Sequence, residues 1–141
     1  MKKIILILVV IAASFFLARE FHVAERLGFV KSREAKLKIL RESAVKFNAQ
    51  MPMQVDAETR ALGMDVTDAG VVYRYQMNSY TREQLVGMGF MERLPAILLA
   101  NACKEPNTLT ILKSKFSVTY SYVDKTGEFV GTVVVGPEQC G

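Results

Sequence analysis

The sequence predicts an α+β domain in which helices pack on one face of a four-stranded antiparallel sheet. Two observations point to this class: an amphipathic helical segment over 24–49 precedes every strand-like segment, and two pairs of strands are each joined by a short turn. A third observation sets the size, since about 120 residues remain after an apolar leader, enough for one domain with one core.

The leader predicts export. Lys2 and Lys3 precede a charge-free run over 4–18, IILILVVIAASFFLA, which as a helix would be about 22 Å long, shorter than a bilayer core of about 30 Å. Residues 1–18 are therefore expected to be a signal peptide or an N-terminal membrane anchor. Both small-residue cleavage sites, Ala12-Ala13-Ser14 and Phe16-Leu17-Ala18, are poor, so cleavage and anchoring as a transmembrane helix both stay open. Either way we expect the domain in the periplasm, soluble or held at the inner membrane.

Charge is unevenly distributed along the chain. The formal net charge is +4, but residues 31–50 carry six basic and two acidic residues, whereas residues 51–141 carry eight basic and ten acidic residues. The domain plan is thus a leader over 1–18, a basic amphipathic helix within 19–50, and an α+β body over 51–141 that folds as one unit with 24–50. Nucleic-acid binding is not expected, because the tyrosines lie in the acidic body rather than among the basic residues.

The helix over 24–49 carries a stripe at alternating spacings of three and four. The stripe contains an arginine among its apolar members: Val30, Arg33, Leu37, Leu40, Ala44 and Phe47. We expect it to pack on the sheet. Two alternatives stay open, a partner-binding helix that uses Val30, Leu37, Leu40 and Phe47, and a basic helix lying on a membrane surface.

Two hairpins are predicted from alternation. Thr59 to Thr67 reads as an irregular strand, followed by the turn 68–70 and a clearly alternating strand over 71–78. A second hairpin joins 116–122 to 129–135 through Asp124-Lys125-Thr126-Gly127, with glycine where a positive φ is needed. Because 129–135 is apolar on both faces, we expect it to be a central or well-covered strand.

Helices are predicted between the hairpins. Thr81 to Gln84 has the pattern of a capping box. Pro95 is expected to break or restart the following helix, Ala96 to Ala102 to be a hydrophobic helical stretch, and Pro106 to Lys113 to add one more turn.

Cys103 and Cys140 are the only cysteines, and an exported context favours one disulfide between them. By closing the loop between the two cysteines, the bond would stabilise the fold by about 3–4 kcal/mol in the chain-entropy model. Two reduced structural thiols are the alternative. A redox pair is less expected without a C-x-x-C motif, and a metal site lacks partners because His22, the only histidine, lies beside the leader.

Catalysis is not expected, because the chain offers no histidine within the body for a nucleophilic triad and no phosphate-binding glycine loop. No cofactor is implied. Asp56, Glu58 and Arg60 form the densest polar cluster, with Asp56 and Arg60 as candidate binding residues or the whole as an ordinary turn. Tyr73, Tyr75, Tyr120 and Tyr122 would form an aromatic binding face if the hairpins adjoin, or else pack under the helices. The scattered methionines read as core filling rather than a copper site.

Two stretches resemble a set of small exported proteins of Gram-negative bacteria: MPMQVDAETR with VVYRYQM, and NACKEP with VTYSYVDKTGEF and a terminal cysteine. This resemblance covers about 50–140 and implies a periplasmic location and paired cysteines, without a transferable activity. The architecture is also loosely similar to secretin pilotins, which are lipoproteins, although this chain has no cysteine near its leader.

These observations lead to one functional hypothesis and two alternatives. The leading hypothesis is a periplasmic or membrane-tethered binding protein without catalytic activity, whose partner is another protein. The alternatives are an immunity or inhibitor protein and a carrier of a small molecule or metal.

Overall fold

The computed structural model describes residues 26–141; the predicted leader and the first two residues of the predicted helix lie outside this part of the chain. Within it, a five-stranded sheet with one long crossover is covered by four helices. The helices are α1 (Arg33–Ala49), α2 (Arg82–Gly87), α3 (Phe90–Ala102) and α4 (Pro106–Lys113). The strands are β1 (Met53–Gln54), β2 (Thr59–Thr67), β3 (Gly70–Met77), β4 (Ser117–Val123) and β5 (Phe129–Val135).

The α+β class is confirmed, but the prediction of four antiparallel strands is wrong. The strand order is β1-β2-β3-β4-β5, and the added β1 pairs with β2 only through Met53 and Gln54. The two predicted hairpins, β2–β3 and β4–β5, form as expected. They are joined into one sheet by the pairing of β3 with β4, and these two strands run parallel. Parallel neighbours need a crossover, and the three helices α2 to α4 supply it.

The sheet buries one face. In-register neighbours on the inner face form rows across the strands, among them Val71 with Val118, Tyr73 with Tyr120, and Tyr75 with Tyr122. These residues share a single core with the buried sides of the helices, such as Leu40 of α1 and Leu98 of α3. The opposite face carries Arg74, which pairs with Asp65 at 2.8 Å. The body is thus a two-layer structure with the helices on one side of the sheet.

The first helix is shorter than predicted. Ser32 caps α1 by accepting a hydrogen bond from the Ala35 N–H at 3.1 Å, so the helix begins at Arg33. A turn at Gly28 and Phe29 separates it from the helical residues before it. The predicted continuous helix over 24–49 is therefore wrong, because a capping serine starts a new helix inside it.

Pro95 lies inside α3 instead of breaking a helix. The break occurs at Gly89, whose positive φ of 68° ends the segment that contains α2 and starts α3. The predicted capping box at Thr81 and Gln84 is confirmed. Pro106 begins a helix of eight residues, longer than the single turn predicted.

The prediction of a central or well-covered last strand is wrong. β5 lies at the edge of the sheet, and its apolar outer side chains are half-buried at Val130 and exposed at Val134. Apolar residues on both faces of a strand therefore do not show here that both faces are covered. Among residues 26–141 no helix is both long enough and apolar enough to cross a membrane.

Candidate interaction site

The four tyrosines of the predicted aromatic face do come together, but inside the core. Tyr73, Tyr75, Tyr120 and Tyr122 are each at most 8% exposed. Tyr75 stacks on Tyr122 with ring centroids 5.4 Å apart, and Phe90 of α3 meets Tyr122 edge-on at 5.4 Å. The tyrosines therefore pack under the helices, and this cluster offers no accessible surface for a ligand.

Burial also fixes the ionisation of this cluster. Loss of water contact raises the pKa of Tyr73, Tyr120 and Tyr122 above the ordinary value of 10, and the neighbouring charge of Glu105 raises the first two further. Glu105 is itself buried, and its carboxylate caps α4 by accepting a hydrogen bond from the Thr108 N–H at 2.7 Å. These phenols stay neutral and act as packing groups.

Asp56 and Arg60 do not form one site. Oδ1 of Asp56 accepts hydrogen bonds from the N–H groups of Glu58 and Thr59, both at 2.8 Å, in a tight turn before β2. Arg60 is exposed on β2, and no ion pair joins it to Asp56 in the described chain. Partial burial raises the pKa of Asp56, against the lowering effect of these hydrogen bonds. The geometry is that of a turn.

The apolar stripe of the first helix is largely occupied within the molecule. Leu37, Leu40 and Phe47 are at most 8% exposed because α1 packs on the sheet, while Val30, which precedes α1, is half-buried. These residues therefore present little surface for a partner helix.

The predicted disulfide is present. Cys103 and Cys140 are bonded, with their Cα atoms 5.4 Å apart. The bond fastens the C-terminal segment to the end of α3, so it has a structural role in this fold.

An apolar surface stays accessible on α3. The helix buries Phe90, Leu94, Leu98 and Ala102 in the core. A neighbouring side of the same helix lines an open groove of about 420 Å³. In the described chain, three apolar residues line what we call the α3 groove, and two polar residues line its C-terminal end. These residues are Ala96, Ile97, Ala100, Asn101 and Lys104. Both alanines are exposed and Ile97 is half-buried.

The α3 groove has a charge pattern at its ends. Lys104 lies at the end that follows the helix, and Arg93, one turn before Ala96, lies on the same stripe and is exposed. Between Arg93 and Lys104 the surface of the α3 groove is almost wholly apolar. Sequence reasoning missed this surface, although a signal exists: α3 has apolar residues around more of its circumference than packing on one sheet requires.

Candidate metal ligands do not cluster in the described chain. No group of three or more histidine, cysteine, aspartate or glutamate side chains lies together among residues 26–141. The methionines divide between the core, as Met64 and Met77 do, and its margin, as Met91 does.

Two solved structures share this fold. A protein of Pseudomonas aeruginosa described as secreted superposes with a TM-score of 0.66 at 17% sequence identity, covering 79% of this chain and 99% of its own. The pilotin EpsS of the Vibrio vulnificus type 2 secretion system superposes with a TM-score of 0.60 at 12% identity, covering 77% of this chain and 96% of its own. The loose likeness to pilotins is thereby confirmed at the level of the fold.

The sequence matches no protein-family model and no curated protein. Membership in a set of small exported Gram-negative proteins stays a prediction.

Proposed function

We propose that this is an exported, periplasmic protein that binds another protein through the α3 groove and performs no catalysis. The groove carries this proposal, because it is an accessible apolar surface with a concave shape, whereas the tyrosines and most of the α1 stripe are in the core. The pilotin fold supports a role connected with secretion. The disulfide supports an oxidising compartment, in agreement with the leader.

The shape and charge of the α3 groove favour a helical partner segment. Ala96 and Ala100 have short side chains, which let a second helix approach α3 closely. Arg93 and Lys104 put a cation near each end, so a segment with an apolar centre and acidic flanks would be complementary. A small molecule is less favoured, because recognition usually needs several converging polar groups, and Asn101 and Lys104 lie at one end.

Differential affinity capture from envelope extract tests the proposal. Tagged wild type, Ala100→Arg and Thr132→Arg would be compared; Thr132 is exposed on β5, away from the groove. We expect a partner retained by wild type and by Thr132→Arg but lost with Ala100→Arg, because a guanidinium in the groove blocks close approach. Capture that is the same with all three proteins would refute a role for the groove. Native mass spectrometry showing a copurified small molecule would support the carrier alternative.

A further inference from the structure

Phe29 is the most exposed large apolar side chain of the described chain, at 88%. Its orientation is set by its neighbours: Leu27 is 2% exposed in the core and Val30 is half-buried. A turn in which the Phe29 N–H donates to the Arg26 carbonyl at 3.3 Å links the two anchored residues. The fold therefore holds the phenyl ring outward instead of allowing it to pack.

Cations from two distant segments surround this turn. Lys31 lies two positions after Phe29 and is exposed. The Arg33 guanidinium donates to the carbonyl of Lys115 at 3.1 Å, which brings Lys115 and its exposed side chain to the same corner. We call the surface formed by Phe29, Lys31, Arg33 and Lys115 the Phe29 corner.

Charge around the Phe29 corner is positive on balance. Two neighbouring acids make long, exposed ion pairs, Asp68 with Arg41 at 3.7 Å and Glu138 with Lys115 at 3.4 Å. Glu34 on α1 is a third, exposed acid, and Glu42 is paired with Arg26 at 2.5 Å. The cations outnumber these four acids: Arg26, Lys31, Arg33, Lys36, Arg41 and Lys115. The body over 51–141, by contrast, has more acidic than basic residues. An anionic surface would thus attract this corner and repel the far side.

An outward aromatic ring surrounded by lysines and arginines is the pattern of a protein that rests on a charged bilayer. We propose that the Phe29 corner docks on an anionic phospholipid surface, with the ring at the interface and the cations against the headgroups. The sequence places the corner suitably, because Phe29 follows the charge-free run over 4–18 by eleven positions. The docking would orient the body and is independent of the protein partner proposed for the α3 groove.

The test uses tryptophan as a position-specific probe, because the chain has none. Full-length Phe29→Trp is mixed with phosphatidylcholine vesicles that contain phosphatidylglycerol, and with vesicles of phosphatidylcholine alone. Phe129→Trp is the matched control, since Phe129 is 57% exposed on the edge strand β5, at the end of β4–β5 remote from Lys115. Both proteins retain the leader, and position 29 lies much closer to it than position 129 does. The dependence on phosphatidylglycerol therefore separates docking of the corner from insertion of the leader.

We expect the tryptophan emission of the Phe29→Trp protein to shift to shorter wavelength, and to be quenched by brominated lipid, only when phosphatidylglycerol is present. Raising salt from about 0.1 to about 0.5 M should reverse the shift. Adding Lys31→Gln and Lys115→Gln should weaken the apparent affinity roughly tenfold or more. Unchanged emission from position 29, equal responses with both vesicle types, or equal responses from positions 29 and 129 would each overturn the proposal.

Discussion

The Arg33 guanidinium lies 4.3 Å from the ring centroid of Phe116, directly over its face. The same side chain donates to the carbonyl of Asp68 at 2.6 Å and to that of Lys115 at 3.1 Å. Asp68 belongs to the turn between β2 and β3, and Phe116 directly precedes β4. One arginine at the start of α1 thus joins the first hairpin to the parallel strand that follows the crossover.

Replacing Arg33 by lysine should destabilise the fold by about 1 kcal/mol, because an ammonium cannot reach both carbonyls while stacking on the ring. Arg33→Ala should cost about 2 kcal/mol. Urea unfolding followed by circular dichroism measures both values. Lys38→Ala, at an exposed position of α1, is the control and should change stability little; equal effects at positions 33 and 38 would refute the role given to Arg33.

Asp124 should make stability depend on acid pH. The Thr126 hydroxyl bonded to its carboxylate lowers its pKa to about 2, helped by the N–H groups of Glu128, Arg82 and Thr126 against the effect of burial. Because the pKa of Asp124 is lower in the folded state than in the unfolded state, its carboxylate stabilises the fold at pH values above the unfolded pKa of 3.8. This stabilisation disappears as the pH falls towards 2.

Asp124→Asn should therefore lower the melting temperature by several degrees at neutral pH. The difference in melting temperature between the variant and wild type, the gap, should narrow as the pH falls from about 4 to about 2. Differential scanning calorimetry over this range gives the comparison. Asp68→Asn serves as control because the Asp68 side chain is 98% exposed. A gap for Asp124→Asn that is constant with pH would contradict the assignment.

The disulfide should contribute about 3–4 kcal/mol, since Cys103 and Cys140 are 37 positions apart and the cross-link limits the unfolded chain. Cys140→Ser should lose this amount in chemical denaturation. Cys103→Ser/Cys140→Ser should be no less stable than the single variant. Wild type whose two thiols react with a labelling reagent before reduction would contradict the bond itself.

Tyr122→Phe should leave stability unchanged or raise it by about 1 kcal/mol. The Tyr122 hydroxyl is buried and has no hydrogen-bond partner in the described part of the chain, so it loses water without compensation. Tyr122→Leu should instead destabilise by about 1–3 kcal/mol, because it removes the ring contacts with Tyr75 and Phe90. A large loss with Tyr122→Phe, again read by urea unfolding, would reveal a partner for the hydroxyl.

Local patterns predicted most of the elements but little of their arrangement. Alternation identified both hairpins, and the spacing of Thr81 and Gln84 identified a helix start. The parallel pairing of β3 with β4 could not be predicted from alternation, because alternation shows which face a residue occupies and not which strand lies beside it. Val134 illustrates the same limit. It lies exposed on the open face of an edge strand, yet its apolar character in the sequence predicts a buried position.

The interaction surface was harder to predict than the fold. Tyr73 and Tyr120 attract attention as aromatic residues in alternating strands, yet they are in the core. Ala96 and Ala100 carry no chemical signal of their own, and they become a candidate site only when the buried side of α3 is known. Arg33 was interpreted as an interruption of an apolar stripe, whereas a long side chain there reaches two turns and an aromatic ring.

Site-specific photocrosslinking in living cells tests the central claim, protein binding through the α3 groove, most directly. A photoreactive benzoylphenylalanine replaces Ala100 in the groove or, as control, Thr132 on β5, both of which are exposed. We predict one discrete adduct with another envelope protein from position 100, absent from position 132 and abolished by Lys104→Glu with Arg93→Glu. No adduct from position 100, or the same adducts from both positions, would contradict the claim.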